Sequence, residues 1–93
     1  MTIVTEEELD MIELRASQAT RGPWTSYIEG REEMSGASFI MTGSEDIYLT
    51  GGTGKDQDFI ASARSDVPRL VEEIRRLKRL LNEVQLEDSN KRP

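Results

Sequence analysis

From Phe59 to Val84 the apolar residues recur at helical spacing: Phe59, Ala63, Val67, Leu70, Ile74, Leu77, Leu81 and Val84. Intervals of three and four residues are the period of one helical face. Between Val67 and Val84 the two intervals alternate without interruption, so the stripe can serve as a coiled-coil seam as well as a flat packing face. The other sides carry Arg69, Glu72, Glu73, Arg75, Arg76, Lys78, Arg79 and Glu83. A long amphipathic helix is therefore expected, and its partner has to be found. One residue interrupts the pattern. Pro68 cannot donate to the carbonyl of Arg64, and its ring crowds that turn. The spacing predicts a short helix over 56–65, then either a break or a kink, then a long helix over 67–85.

The remainder of the chain supplies little bulk. With 93 residues, 35% of them hydrophobic, it fits one domain with a modest core. Thr5 followed by Glu6, Glu7 and Glu8 is a capping box that opens a first helix over roughly 6–20. Leu9, Ile12, Ala16 and Ala19 form its apolar face, with Met11 and Leu14 widening it, and Arg21-Gly22-Pro23 stops it. Gly22 is available for a left-handed cap there. Three short strands follow in alternating patterns at Trp24–Ile28, Ser38–Thr42 and Ile47–Thr50. Gly43-Ser44-Glu45-Asp46 forms the turn between the last two.

The expected architecture is α+β: an N-terminal helix, a three-stranded antiparallel β-meander, a short helix and a long C-terminal amphipathic helix. It is a single domain over residues 1–86, with a polar tail over 87–93 expected to be disordered. The first half of the long stripe is expected to pack on the domain. Its distal Leu77, Leu80, Leu81 and Val84 overhang the sheet and form the candidate protein interface, together with Glu32 and Glu33 in a polar loop. Trp24, Phe59 and Pro68 are read as structural anchors. Any aromatic residue left exposed on the sheet would be a further binding anchor.

Composition narrows the chemistry. There is no cysteine and no histidine, which removes disulfides, thiolate metal sites and the usual general base. Adjacent acids at Glu32–Glu33, Glu45–Asp46 and Asp56–Asp58 lie in turns or at a helix start, and they read as solvated carboxylates. Gly51-Gly52-Thr53-Gly54-Lys55 has the glycine–lysine pair of a phosphate loop, but Asp56 stands where a hydroxyl is required and Leu49 where the first glycine belongs. It reads as a turn, with Thr53 or Asp56 as the cap of the next helix. No catalytic, metal-binding or cofactor-binding residue is assigned, and no cofactor is expected.

Charge is placed unevenly. Residues 1–50 hold ten acids against three bases, a net of −7 within a chain of −6. Such a front half favours a basic protein partner over a phosphate backbone. No run of about 18 apolar residues occurs, so no membrane span is expected. The acidic start, Met-Thr-Ile-Val-Thr-Glu-Glu-Glu, is unlike a signal peptide, and a cytoplasmic setting is expected.

Two segments also carry a resemblance: Ala19-Thr20-Arg21-Gly22-Pro23-Trp24, and Asp58-Phe59-Ile60-Ala61 continuing to Pro68-Arg69-Leu70. The Ala-Thr-x-Gly-Pro-Trp segment after a first helix, then a sheet, then Asp-Phe-Ile-Ala and a closing helix, is similar to small phage and prophage proteins of the Ead type. It also resembles related bacterial proteins of mobile regions. The likeness spans roughly residues 9–80, with the middle matched by layout alone. It implies a phage or mobile-element setting and carries over no catalytic residue.

Two function classes lead. One is a small non-catalytic interaction protein, such as an accessory, inhibitor or immunity factor, that binds a protein partner and forms a homodimer through its C-terminal helix. The alternative is a nucleic-acid-binding regulator using Arg69, Arg75, Arg76, Lys78 and Arg79, although interleaved acids weaken that cluster. An enzyme or ligand sensor is the third class and would need a defined concave pocket.

Overall fold

Two helices pack side by side in antiparallel directions, and a small sheet fills the corner between them. The computed structural model describes residues 3–31 and 37–91, with side chains of the last helix as far as Leu86. The element order is α1 (Glu6–Gln18), β1 (Thr25–Tyr27), β2 (Phe39–Met41) and α2 (Gly54–Lys91).

Local chemistry explains the element ends. The Glu8 amide donates to Thr5 Oγ1 at 3.1 Å, which caps α1 as the Thr-Glu-Glu-Glu run predicts. At the start of α2, the Asp56 amide donates to Thr53 Oγ1 at 3.2 Å and the Thr53 amide donates to Asp56 Oδ2 at 2.8 Å. Thr53 and Asp56 therefore act together as a reciprocal capping box. Gly51 and Gly52, with φ of 146° and 84°, turn the chain into it. The phosphate-loop-like glycines are thus a helix entry.

After α1 the chain turns through a cis Gly22–Pro23 peptide, and the Trp24 indole donates to the Thr20 carbonyl at 3.0 Å. Gly22 does not adopt the left-handed conformation expected of it. Its constraint is space instead, because a Cβ there would sit 3.0 Å from Arg64 Cγ.

The sheet is smaller than the sequence suggests. β1 and β2 pair antiparallel with Thr25 opposite Met41, Ser26 opposite Ile40 and Tyr27 opposite Phe39. The expected third strand over 47–50 is not formed, and the meander is corrected to a two-stranded sheet with a single bridge between Ile40 and Ile47. Both bridge hydrogen bonds are 2.9 Å. Beyond Ile47 the chain leaves the ladder for the Gly51-Gly52 turn. Tyr48 and Leu49 stay exposed, so no burial rewards further pairing.

A second correction concerns Pro68. Of the break and the kink left open at Pro68, no break occurs: the expected short and long helices are one helix of 38 residues with Pro68 inside it. The physical reason is anchorage on both sides of the missing hydrogen bond. The Arg64 guanidinium, before the proline, donates to the Ala16 carbonyl of α1. Val71 is buried after it, and Arg75 reaches α1 one turn further on. Packing on α1 from both sides holds the two halves in one helix and offsets the local cost, about 3 kcal/mol. Residues 87–91, read as tail from sequence, form the last turns of α2.

Among the described residues, the buried apolar ones are Leu9 of α1, Ile40 of β2, and Ala61 and Val71 of α2. That core is thin. The molecule extends 70 × 27 × 23 Å with a radius of gyration of 19.2 Å, whereas a compact chain of this length has about 12 Å.

Candidate interaction surface

α2 presents two different faces with the same heptad spacing. The line turned towards α1 and the sheet is Gln57, Ala61, Arg64, Pro68, Val71, Arg75 and Lys78, all buried or half-buried. The apolar stripe lies about a third of a turn away from that line, given 3.6 residues per turn. On it, Phe59, Leu70, Leu77, Leu81 and Val84, with Leu80 beside them, are 43–74% exposed; Ala63, Val67 and Ile74 at the margin are half-buried. The chain covers the more polar face of its longest helix and leaves the apolar one outside.

Polar groups hold that arrangement. Gln57 is buried, and its Nε2 lies 2.9 Å from Ser26 Oγ, 3.0 Å from the Tyr27 carbonyl and 3.0 Å from the Phe39 carbonyl. It ties the start of α2 to both strands. Next to it, Arg31 Nη1 and Nη2 donate to Asp58 at 2.8 and 3.0 Å, and Nη2 also reaches the Ser26 carbonyl at 3.2 Å. The hydrogen bond from Arg31, helped by one from Ser26, holds the Asp58 carboxyl below its ordinary range.

Further along, Arg75 pairs with Asp10 at 2.9 Å, Glu6 at 3.3 Å and Glu13 at 3.6 Å, while Lys78 Nζ pairs with Glu6 at 2.7 Å. The acids of α1 thus face the bases of α2 along an antiparallel seam. Arg76 pairs with Glu73 within α2, and this keeps the Glu73 carboxyl below its usual range.

The sheet has an aromatic outer face. Tyr27 and Phe39 stack with centroids 5.3 Å apart, and Phe39 meets Tyr48 at 5.8 Å. Strand alternation puts this row opposite the side on which Ser26 and Ile40 meet α2. Open depressions occur on the helix surfaces, one bordered by Arg69, Leu70, Glu73, Arg76 and Arg79, the other by Glu8, Met11, Ile12 and Arg15.

With known proteins the chain matches no family model, no curated protein and no solved structure. No helix among the described residues is long and apolar enough to cross a membrane.

The residues singled out from sequence fall in different places. Leu77, Leu80, Leu81 and Val84 lie together on the exposed far part of α2. Glu32 and Glu33 lie outside the described residues. Trp24 is half-buried against the end of α1, and Pro68 is half-buried inside α2. Phe59, read as an anchor, stands in solvent at 74% exposure at the near end of the stripe. The near half of the stripe is not packed on the domain as expected, because Leu70 is also exposed. Gln57 escaped sequence reading because it sits between Asp56 and Asp58 in a polar run. The signal that could have found the covered face is a second heptad line, small at Ala61, apolar at Val71, and basic at Arg75 and Lys78 opposite the acids of α1.

Proposed function

We propose that the chain is a small non-catalytic protein-interaction module whose working surface is the apolar stripe of α2, and that a second copy of the chain occupies this stripe. The observation that carries the reading is the mismatch of faces: a seam of unbroken heptad spacing left outside while a polar line is packed inside. A face of this kind is self-complementary about a two-fold axis.

Magnitudes support a dimer that depends on concentration. Val67, Leu70, Ile74, Leu77, Leu81 and Val84 bring twelve seam side chains together from two copies. Full burial of such a side chain is worth about 1.5–3 kcal/mol, and covering the exposed half of each returns roughly 9–18 kcal/mol. Association costs about 4–15 kcal/mol. At the middle of the two ranges the gain exceeds the cost by about 4 kcal/mol, which is modest.

The acidic front half, shown twice by a dimer, is then the surface offered to a basic protein, with Glu6, Asp10 and Glu13 already engaged by Arg75 and Lys78. That arrangement suits an accessory, inhibitor or immunity factor acting in the cytoplasm of a phage-carrying cell. The ion pairs of Arg75 and Lys78 with α1, and of Arg76 with Glu73, weigh against the nucleic-acid alternative, because three of its five bases already have carboxylate partners.

Thermal unfolding followed by circular dichroism tests the reading. Stabilisation by mass action makes the Tm of a dimer fall on dilution over about a hundredfold range. A Tm that does not move with concentration contradicts self-association.

A further inference from the structure

We infer that the two copies pack with their α2 helices parallel and in register, so that both α1–sheet units stand at the same end of the assembly. This rests on the dimer reading above and adds its orientation. In the heptad frame of the stripe, Val67, Ile74 and Leu81 occupy the first seam position, and Leu70, Leu77 and Val84 the second. β-Branched residues at the first position with leucine at the second are the combination that favours parallel two-stranded packing. The first two heptads have this combination at every seam position.

Charge points the same way. The positions flanking the seam carry Asp66, Glu73 and Leu80 on one side and Arg64, Val71, Lys78 and Gln85 on the other. A parallel pair sets each flank against the opposite flank of the second copy, five residues further on. Glu73 of each copy then meets Lys78 of the other, two attractive pairs with none opposed. Glu73 pairs with Arg76 and Lys78 with Glu6 in the single chain, and the two side chains keep 49% and 40% of their surface exposed, so the contact between copies extends these existing pairs.

An antiparallel pair sets like flanks together. In the register that covers the whole stripe, Glu73 meets Glu73 and Arg64 meets Lys78, which is repulsive on both sides. Shifting by one heptad removes the repulsion, but it gains no attractive pair and uncovers Phe59 and Ala63. The parallel pair is the arrangement that fills the seam and satisfies its flanks.

The consequence is a rod with a double head. The acidic α1 helices and the aromatic Tyr27–Phe39–Tyr48 rows are duplicated at one end, and the far turns of α2 form a paired stalk.

The chain has no cysteine, so a single introduced thiol reports which residue it meets. Leu81→Cys and Val84→Cys are made separately, since both positions are exposed and lie beyond the contacts with α1. Each full-length variant is equilibrated in glutathione redox buffer, and its mass under reducing conditions is measured by sedimentation equilibrium. In the parallel pair each thiol faces its own copy, and most of the chain is expected to become a covalent dimer in both variants. In the antiparallel registers Leu81 falls opposite Leu70 or Ala63 of the other copy, and its own counterpart is about 16 Å or more away along the axis. Cross-linking only in mixtures of Leu81→Cys with Leu70→Cys or Ala63→Cys would overturn the orientation and leave the dimer standing. A non-covalent dimer that forms no link in either single variant also overturns it. A single-chain mass under reducing conditions would remove the dimer reading itself.

Discussion

Gln57 is the residue whose loss should be felt most for its size. Its amide serves both strands from a buried position, so replacing it leaves the Ser26 hydroxyl and two backbone carbonyls short of a donor. Gln57→Leu is expected to lower unfolding free energy by about 1–3 kcal/mol in urea titration, despite adding an apolar group. A neutral outcome would mean that water replaces the amide without loss. Asp58 supplies a pH signature. Its carboxyl is held below the ordinary value by Arg31, so the pair adds stability above the unfolded carboxyl's pKa of about 3.9 and loses it as pH falls through the lower folded value. An NMR titration should place the Asp58 midpoint below that of free aspartate, and Arg31→Ala should move it back up. An unshifted midpoint in the unmodified protein would show that the pair does not persist in solution.

At the scale of elements, α2 accommodates a proline in its interior. If anchorage on α1 from both sides maintains one helix, Pro68→Ala should raise stability by roughly 1–3 kcal/mol, since it restores the bond to the Arg64 carbonyl. Urea unfolding measures it, and unchanged or lowered stability would mean that the proline shapes the helix rather than burdening it. The starts of both helices and two of the three expected strands were legible in the sequence. Thr5 with Glu8 and Thr53 with Asp56 are local signals, decided within a few residues, and they mark where both helices begin. What a linear reading does not decide is rotation. Which side of α2 is covered depends on Arg75 and Lys78 finding Glu6, Asp10 and Glu13 more than 60 residues away, and hydrophobic periodicity takes no account of those pairs. The third strand fails for a related reason: Ile47, Tyr48 and Leu49 alternate correctly, but only Ile47 is half-buried, while Tyr48 touches Phe39 and still stands exposed. The far leucines of the candidate site were visible because periodicity outran the length of everything available to cover them.

For the whole molecule, shape and core size say the same thing. A radius of gyration of 19.2 Å and a core built on Leu9, Ile40, Ala61 and Val71 describe an elongated chain whose long helix keeps its apolar stripe exposed. The most direct measurement is sedimentation equilibrium of the full chain beside a Leu77→Glu/Leu81→Glu variant. Pairing through the stripe predicts twice the 10.5 kDa chain mass for the unmodified protein and the single-chain mass for the variant, with α1 and the sheet still folded. A single-chain mass for the unmodified protein at every concentration, or an undiminished dimer in the variant, would contradict it.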